Sequence, residues 1–159
     1  MEEKLEPHIL IITACGRSKN DRPLPAWKLY KSSRVKAVYY RVIKHDFAIL
    51  SSEYGLVEAE RVISPYEKVM TKRRAEELIP QVTAKLKNYD LVIYYKGGAR
   101  REYYNCIRNA CQAAGNTLIV LGFANMGGIN DIIKVIALAE QGKFGEILNI
   151  KHTEVISKS

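Results

Sequence analysis

Four short apolar runs, separated by stretches of helical period, constrain this chain more than any other feature. Ile9–Ala14, Phe47–Ser51, Asp90–Tyr95 and Thr117–Leu121 are apolar on both alternations, as strands covered on both faces of a parallel sheet are. After Ser32 or Ser33, either of which can cap a helix, Val35, Val38, Tyr39, Val42 and Ile43 keep helical spacing. After Thr71, Ala75, Leu78, Ile79, Val82 and Leu86 do the same through Asn88, with Pro80 inside the pattern predicting a kink or two shorter pieces. A further helix is expected from Ala99 to Ala114, stopped by Gly115, and another from about Ile129 to Gln141. Ala26–Tyr30 reads as a helical turn, and Ile147–Ile150 as a short strand. The alternation predicts an α/β chain: a single three-layer domain over residues 1–159, with a mostly parallel four- to five-stranded sheet and helices on both faces.

Charge narrows the partners. The net charge is +8, and residues 1–45 carry ten Lys/Arg against four Asp/Glu. A basic leading third favours anionic partners, nucleotide or nucleic acid. No apolar run approaches membrane-spanning length, so no membrane partner is expected. The acidic start M-E-E-K-L-E-P-H lacks the pattern of a signal peptide, which points to a cytoplasmic protein. Cys15, Cys106 and Cys111 have no C-x-x-C spacing, and His8, His45 and His152 are scattered. No metal site is therefore expected from these residues. Neither G-x-x-x-x-G-K-[ST] nor G-x-G-x-x-G occurs, and no cofactor is expected. The oligomeric state is left open.

Each predicted strand runs into a glycine-bearing segment, at Gly16, Gly55, Gly97-Gly98 and Gly122. In a parallel sheet these segments share one edge, where ligands bind. That edge is expected to gather Cys15, Arg17, Ser18, Lys19, Ser51, Glu53, Tyr54, Lys96, Arg100 and Asn125. In C-G-R-S-K, Gly16, Arg17, Ser18 and Lys19 offer backbone N–H groups and cations to a phosphate. Cys15 beside those cations is a candidate nucleophile or a buried thiol. In S-S-E-Y-G, Glu53, like Glu67, is a candidate acid or base or an ion-pairing loop residue. Tyr54 and Tyr66 can stack a base or simply pack. Lys72-Arg73-Arg74 and Arg100-Arg101 open helices, where cations oppose the macrodipole unless an anion is near.

Ten tyrosines against three phenylalanines is a skew towards aromatics with a hydroxyl. In the adjacent pairs Tyr39-Tyr40, Tyr94-Tyr95 and Tyr103-Tyr104, one member is expected in the core and the other at the surface or site.

Together, C-G-R-S-K (Cys15–Lys19), P-A-W-K-L-Y-K-S (Pro25–Ser32), L-S-S-E-Y-G-L-V (Leu50–Val57) and I-S-P-Y-E (Ile63–Glu67) resemble a bacterial, archaeal and phage family of unknown function. Its motifs are C-G-x-x-K, P-A-x-x-L-Y-x-S, L-S-x-x-Y-G-L and P-Y-[ED]. The L-S-x-x-Y-G and P-Y part is also similar to the peroxide-stress protein YaaA, whose family is linked to DNA binding. The resemblance implies a stress or nucleic-acid-modification context. It maps motif positions onto Cys15, Gly16, Lys19, Tyr30, Ser32, Ser51, Tyr54, Gly55, Pro65 and Tyr66.

Two functions stay open. One is an enzyme acting on a nucleotide or nucleobase in a phosphate-binding cleft. Its ligand residues would be Gly16, Arg17, Ser18, Lys19, Tyr30, Ser32, Ser51, Gly55, Tyr66, Lys96 and Gly97, and its catalytic candidates Cys15, Glu53 and Tyr54. The other is a non-catalytic DNA- or RNA-binding protein.

Overall fold

The computed structural model describes residues 6–123 and 128–157. In chain order its first half contains β1 (Ile9–Ala14), β2 (Leu24–Pro25), α1 (Ala26–Leu29), α2 (Ser33–Arg41), β3 (Asp46–Ser51), β4 (Gly55–Glu58) and β5 (Val62–Ile63). The second half contains α3 (Lys72–Leu86), β6 (Leu91–Tyr95), α4 (Arg101–Ala114), β7 (Thr117–Leu121), a 3-10 turn (Ile129–Asp131), α5 (Ile132–Glu140), α6 (Phe144–Ile147) and β8 (Glu154–Ile156).

β1 is the axis of the sheet. All six of its residues are buried, and it pairs in parallel with β3 on one side and β6 on the other. Removing each large apolar side chain from water contributes about 1.5–3 kcal/mol, which is why these runs become central strands. Thr13 fits among them because its hydroxyl donates to Tyr95 O at 2.8 Å. β7 continues the parallel set beyond β6. The chain is thus α/β with a mostly parallel sheet.

The sheet has six strands, in the order β4-β3-β1-β6-β7-β8, not the four or five expected. Both additional strands are antiparallel edges, β4 against β3 and β8 against β7. Each is short, and a strand of three or four residues leaves too little alternation to detect. The segment expected as a strand near Ile147–Ile150 begins instead as the end of α6, and pairing is deferred to Glu154–Ile156. A separate two-stranded ribbon joins β2 to β5.

Helix caps follow the sequence. Ser32 accepts from Val35 N at 3.3 Å and Thr71 from Arg74 N at 3.0 Å. Pro80 does not divide α3, which runs unbroken through it. Pro80 lies on the exposed face, where the carbonyl freed by its missing N–H can turn to water. α3 packs on α4, and α2 packs on β1 and α5. Of the tyrosine pairs, Tyr39-Tyr40 divides as expected, with Tyr40 66% exposed. Tyr94-Tyr95 and Tyr103-Tyr104 are buried at both members. β6 is covered on both sides, and Tyr103 and Tyr104 both fall within the wide buried side of α4, whose exposed face is carried by Asn105, Arg108, Asn109 and Gln112.

Gly55 opens β4 at φ +72°, and the return of the chain depends on it. Gln81 of α3 accepts from Leu56 N at 3.0 Å and donates to Leu56 O at 3.2 Å, and a Cβ on Gly55 would collide with that amide. Gly142 has a similar φ of +70° with nothing within 4 Å. Gly55→Ala is expected to lower unfolding free energy by about 2–4 kcal/mol, combining backbone strain with loss of the Gln81 bonds. Gly142→Ala is expected to cost only about 1 kcal/mol. Urea denaturation measures both, and equal losses would show that the Gln81 contact carries no weight.

Candidate functional site

The sheet's carboxyl edge carries a cleft of about 860 Å³. Its floor is buried: Cys15, Ser52, Met70 and Tyr103 are each at most 8% exposed. Its walls come from the segment after β1 (Gly16–Lys19), the start of α2 (Lys31–Arg34), the approach to α3 (Glu67–Val69) and the approach to α4 (Gly98–Arg100).

The first wall is held in place by backbone pairing. Asn20 N donates to Leu29 O at 2.8 Å and Lys31 N to Ser18 O at 2.9 Å, while Lys19 and Tyr30 form a bridge. Cys15 N donates to Leu50 O at 3.0 Å, tying the end of β1 to β3. Gly16 is required by proximity, since a Cβ there would lie 2.7 Å from Ser32 Cβ. That approach brings the N-terminus of α2 onto the cleft.

Charge in the cleft is one-sided. Arg17, Lys19, Lys31, Arg34, Lys68 and Arg100 line it, against the single carboxylate of Glu67. Lys68 pairs with Glu53 at 3.7 Å and Arg100 with Glu102 at 3.4 Å. Among the described residues, Arg17, Lys19, Lys31 and Arg34 make no ion pair. Arg34 donates to the carbonyls of Ala14 and Cys15 at 3.1 and 3.2 Å, and its Nε is buried without a partner. The starts of α2 and α4 both reach the cleft and carry Arg34, Arg100 and Arg101 where the helix dipole favours anions. Among the described residues, no group of three His, Cys, Asp or Glu is placed to hold a metal.

Beneath the walls lies a chain of buried hydroxyls. Ser51 donates to Tyr66 Oη at 2.7 Å, and Tyr66 and Tyr30 share a hydrogen bond of 2.6 Å. Ser51 Oγ also accepts from the backbone N–H groups of Glu53 and Tyr54 at 3.2 and 3.0 Å, closing the turn into β4. Ser52 donates to Lys68 O at 2.7 Å. Cys15 Sγ and Tyr103 Oη share a hydrogen bond of 3.2 Å. Burial first, and then the neighbouring Cys15, raise the ionisation of Tyr30, Tyr66 and Tyr103 well above the ordinary tyrosine value.

The structure gathers part of the expected constellation. Cys15, Gly16, Arg17, Ser18, Lys19, Ser32 and Arg100 line the cleft, and Tyr66 borders the hollow beside it. Tyr30 and Ser51 are fully buried and lie beneath the walls. Glu53 is exposed outside the cleft and holds Lys68. Tyr54 donates to Ser64 O at 3.1 Å, and Gly55 backs onto Gln81. Lys96 turns back on the carbonyls of Gly97 and Ala99 at 3.5 and 3.4 Å, and Gly97 packs on Arg34 and Tyr95. These five do not line the cleft. After β3, Ser51 closes the turn into β4, Glu53 holds Lys68 and Tyr54 holds the Ser64 carbonyl, partners that the local sequence does not announce. Asn125 lies outside the described residues. Arg34, Lys31 and Lys68 are lining cations that no motif marks. The basic first turns of α2 and α4, read against the macrodipole, were the available signal.

A family model described as a family of unknown function, DUF6884, matches residues 9–126. The chain belongs to this family. The matched span runs from β1 past the end of β7 and contains every residue lining the cleft. No curated protein and no solved structure matched the chain.

Two outcomes follow from the hydroxyl chain. Tyr66→Phe, which strips Ser51 and Tyr30 of a shared partner, is expected to lower stability by about 1–3 kcal/mol, against under about 1 kcal/mol for Tyr54→Phe. Thermal melts compare them, and a Tyr54→Phe loss equal to that of Tyr66→Phe would contradict the network. The raised tyrosines stay protonated in the folded state at a pH where the unfolded chain has ionised. Their contribution is therefore complete below the ordinary tyrosine value of 10.0 and lost as pH rises above it. Tyrosinate absorbance is expected to show a class that titrates only on unfolding; titration of all ten tyrosines in the folded protein would contradict this.

Proposed function

We propose that the protein binds a phosphate-bearing nucleotide, free or within a nucleic acid, in this cleft. The observation that carries the reading is six cations facing one carboxylate, four of them without ion pairs, where two helix N-termini meet. A cleft of this size holds a small ligand. Its position also suits binding. β1 leads through α2 to β3 on one side, and β3 leads back through α3 to β6 on the other. Right-handed crossovers then set α2 and α3 on opposite faces, the three-layer arrangement, with the switch between β1 and β6 at the cleft.

The concave shape, with a buried thiol and phenol at the floor, favours an enzyme acting on a nucleotide or nucleobase over the flat basic face of a non-catalytic binder. The likeness of L-S-S-E-Y-G and P-Y-E to the peroxide-stress protein YaaA supports a nucleic-acid context. Arg17 and Arg100 are the expected phosphate ligands. Glu53 and Tyr54, which lie outside the cleft, act on the ligand only through the loop they hold.

Isothermal titration with nucleoside monophosphates at low salt tests the reading. Binding is expected to weaken as salt rises, and Arg17→Ala or Arg100→Ala to weaken it about tenfold, the scale of a charge-assisted hydrogen bond. If nucleotides and short oligonucleotides at millimolar concentration produce neither heat nor a shift in melting temperature, the reading is wrong.

A further inference from the structure

We propose that the cleft takes a single-stranded nucleic acid rather than a free nucleotide, an inference that rests on the phosphate-binding reading above. The cavity does not end at the Arg17–Lys19 wall. A second hollow of about 590 Å³ lies beyond it, reaching Asn20, Asp21, Pro65 and Tyr66. Arg17, Ser18, Lys19, Lys31 and Glu67 line both hollows. The two hollows are neighbours across this seam, taken together as one trench in this proposal, and three of the five seam residues are cations.

That distribution matches a strand. A phosphodiester lies between two nucleosides, so a positive seam between two lobes sets a phosphate at the seam and a nucleoside in each lobe. A free nucleotide carries its phosphates at one end and would leave the second lobe empty. The seam charge is also preset. The Lys19 ammonium donates to Arg17 O at 3.0 Å and lies 4.4 Å from the centre of the Tyr66 ring. A cation held in this way loses less freedom when the phosphate arrives.

The chemistry of the outer lobe fits a base better than a second phosphate. Asp21, which lines only this lobe, would repel a phosphate, but its carboxylate accepts hydrogen bonds from exocyclic amino groups, as on cytosine. Tyr66 adds an aromatic ring to the same lobe. Asp21 and Pro65 at the far end are exposed, so the trench is open there and a chain can continue past it. Bases paired inside a duplex cannot enter either lobe.

Fluorescence anisotropy would compare deoxycytidine monophosphate, deoxycytidylate oligomers of two, four and eight residues, and a hairpin duplex. Affinity is expected to rise at least about tenfold from monomer to tetramer and then level off, with a log–log salt slope near about −2, as for roughly three phosphates on a single strand. Lys31→Ala is expected to weaken the tetramer by a larger factor than the monomer. A monomer that binds as tightly as the tetramer, or a duplex that does, would overturn the inference and leave phosphate binding standing. Failure of every probe to bind would overturn both.

Discussion

The hydrogen-bonded chain Ser51–Tyr66–Tyr30 joins three parts of the molecule that the backbone leaves far apart. Ser51 ends β3, Tyr66 sits on the approach to α3, and Tyr30 follows α1. Ser51 and Tyr30 are fully buried and Tyr66 partly so, and a buried hydroxyl left unsatisfied would cost about 1–3 kcal/mol, so the three hold one another in register. The consequence reaches the cleft. With Tyr66 fixed, Glu67 and Lys68 form one wall; with Tyr30 fixed, its bridge to Lys19 sets the opposite one. Tyr30 and Tyr66 account for part of the skew towards tyrosine, since phenylalanine would pack in these two positions and leave the walls untied.

The cleft's charge has a different origin. Arg34 and Arg100 stand at helix starts, where their own helices disfavour them. Arg34 is nonetheless committed to the carbonyls at the end of β1, so its charge is held at the sheet edge. Positive charge is thus concentrated by backbone as well as by side chains. Gly16 permits this, because only a residue without a Cβ lets Ser32 and the start of α2 come so near β1.

Much of the fold was legible because central parallel strands must be apolar on both faces. Ile9–Ala14, Phe47–Ser51, Asp90–Tyr95 and Thr117–Leu121 announce themselves for that reason. β4 and β8 do not, since an edge strand of three or four residues takes its pairing from a neighbour rather than from its own pattern. The first loop was legible as a polar segment at the sheet edge, because a run too polar for the core follows a strand. The segment after β3 carries the same signature, and there the chain turns back into a hairpin. Ser51, Glu53, Tyr54 and Gly55 look like a ligand loop in one dimension and are the fabric of a turn in three.

The sequence by itself determined the α/β class, the central strands, a cap at Ser32 or Ser33 and another at Thr71, and the basic segment at the carboxyl end of β1. These follow from periodicity, capping chemistry and charge, which act over a few residues. Only the tertiary structure decided which polar residues face the cleft and which are spent on internal hydrogen bonds. That division depends on partners as distant in sequence as Cys15 and Tyr103 or Ser51 and Tyr66. A hydroxyl or a cation has no preference between ligand and neighbour until packing supplies one of them.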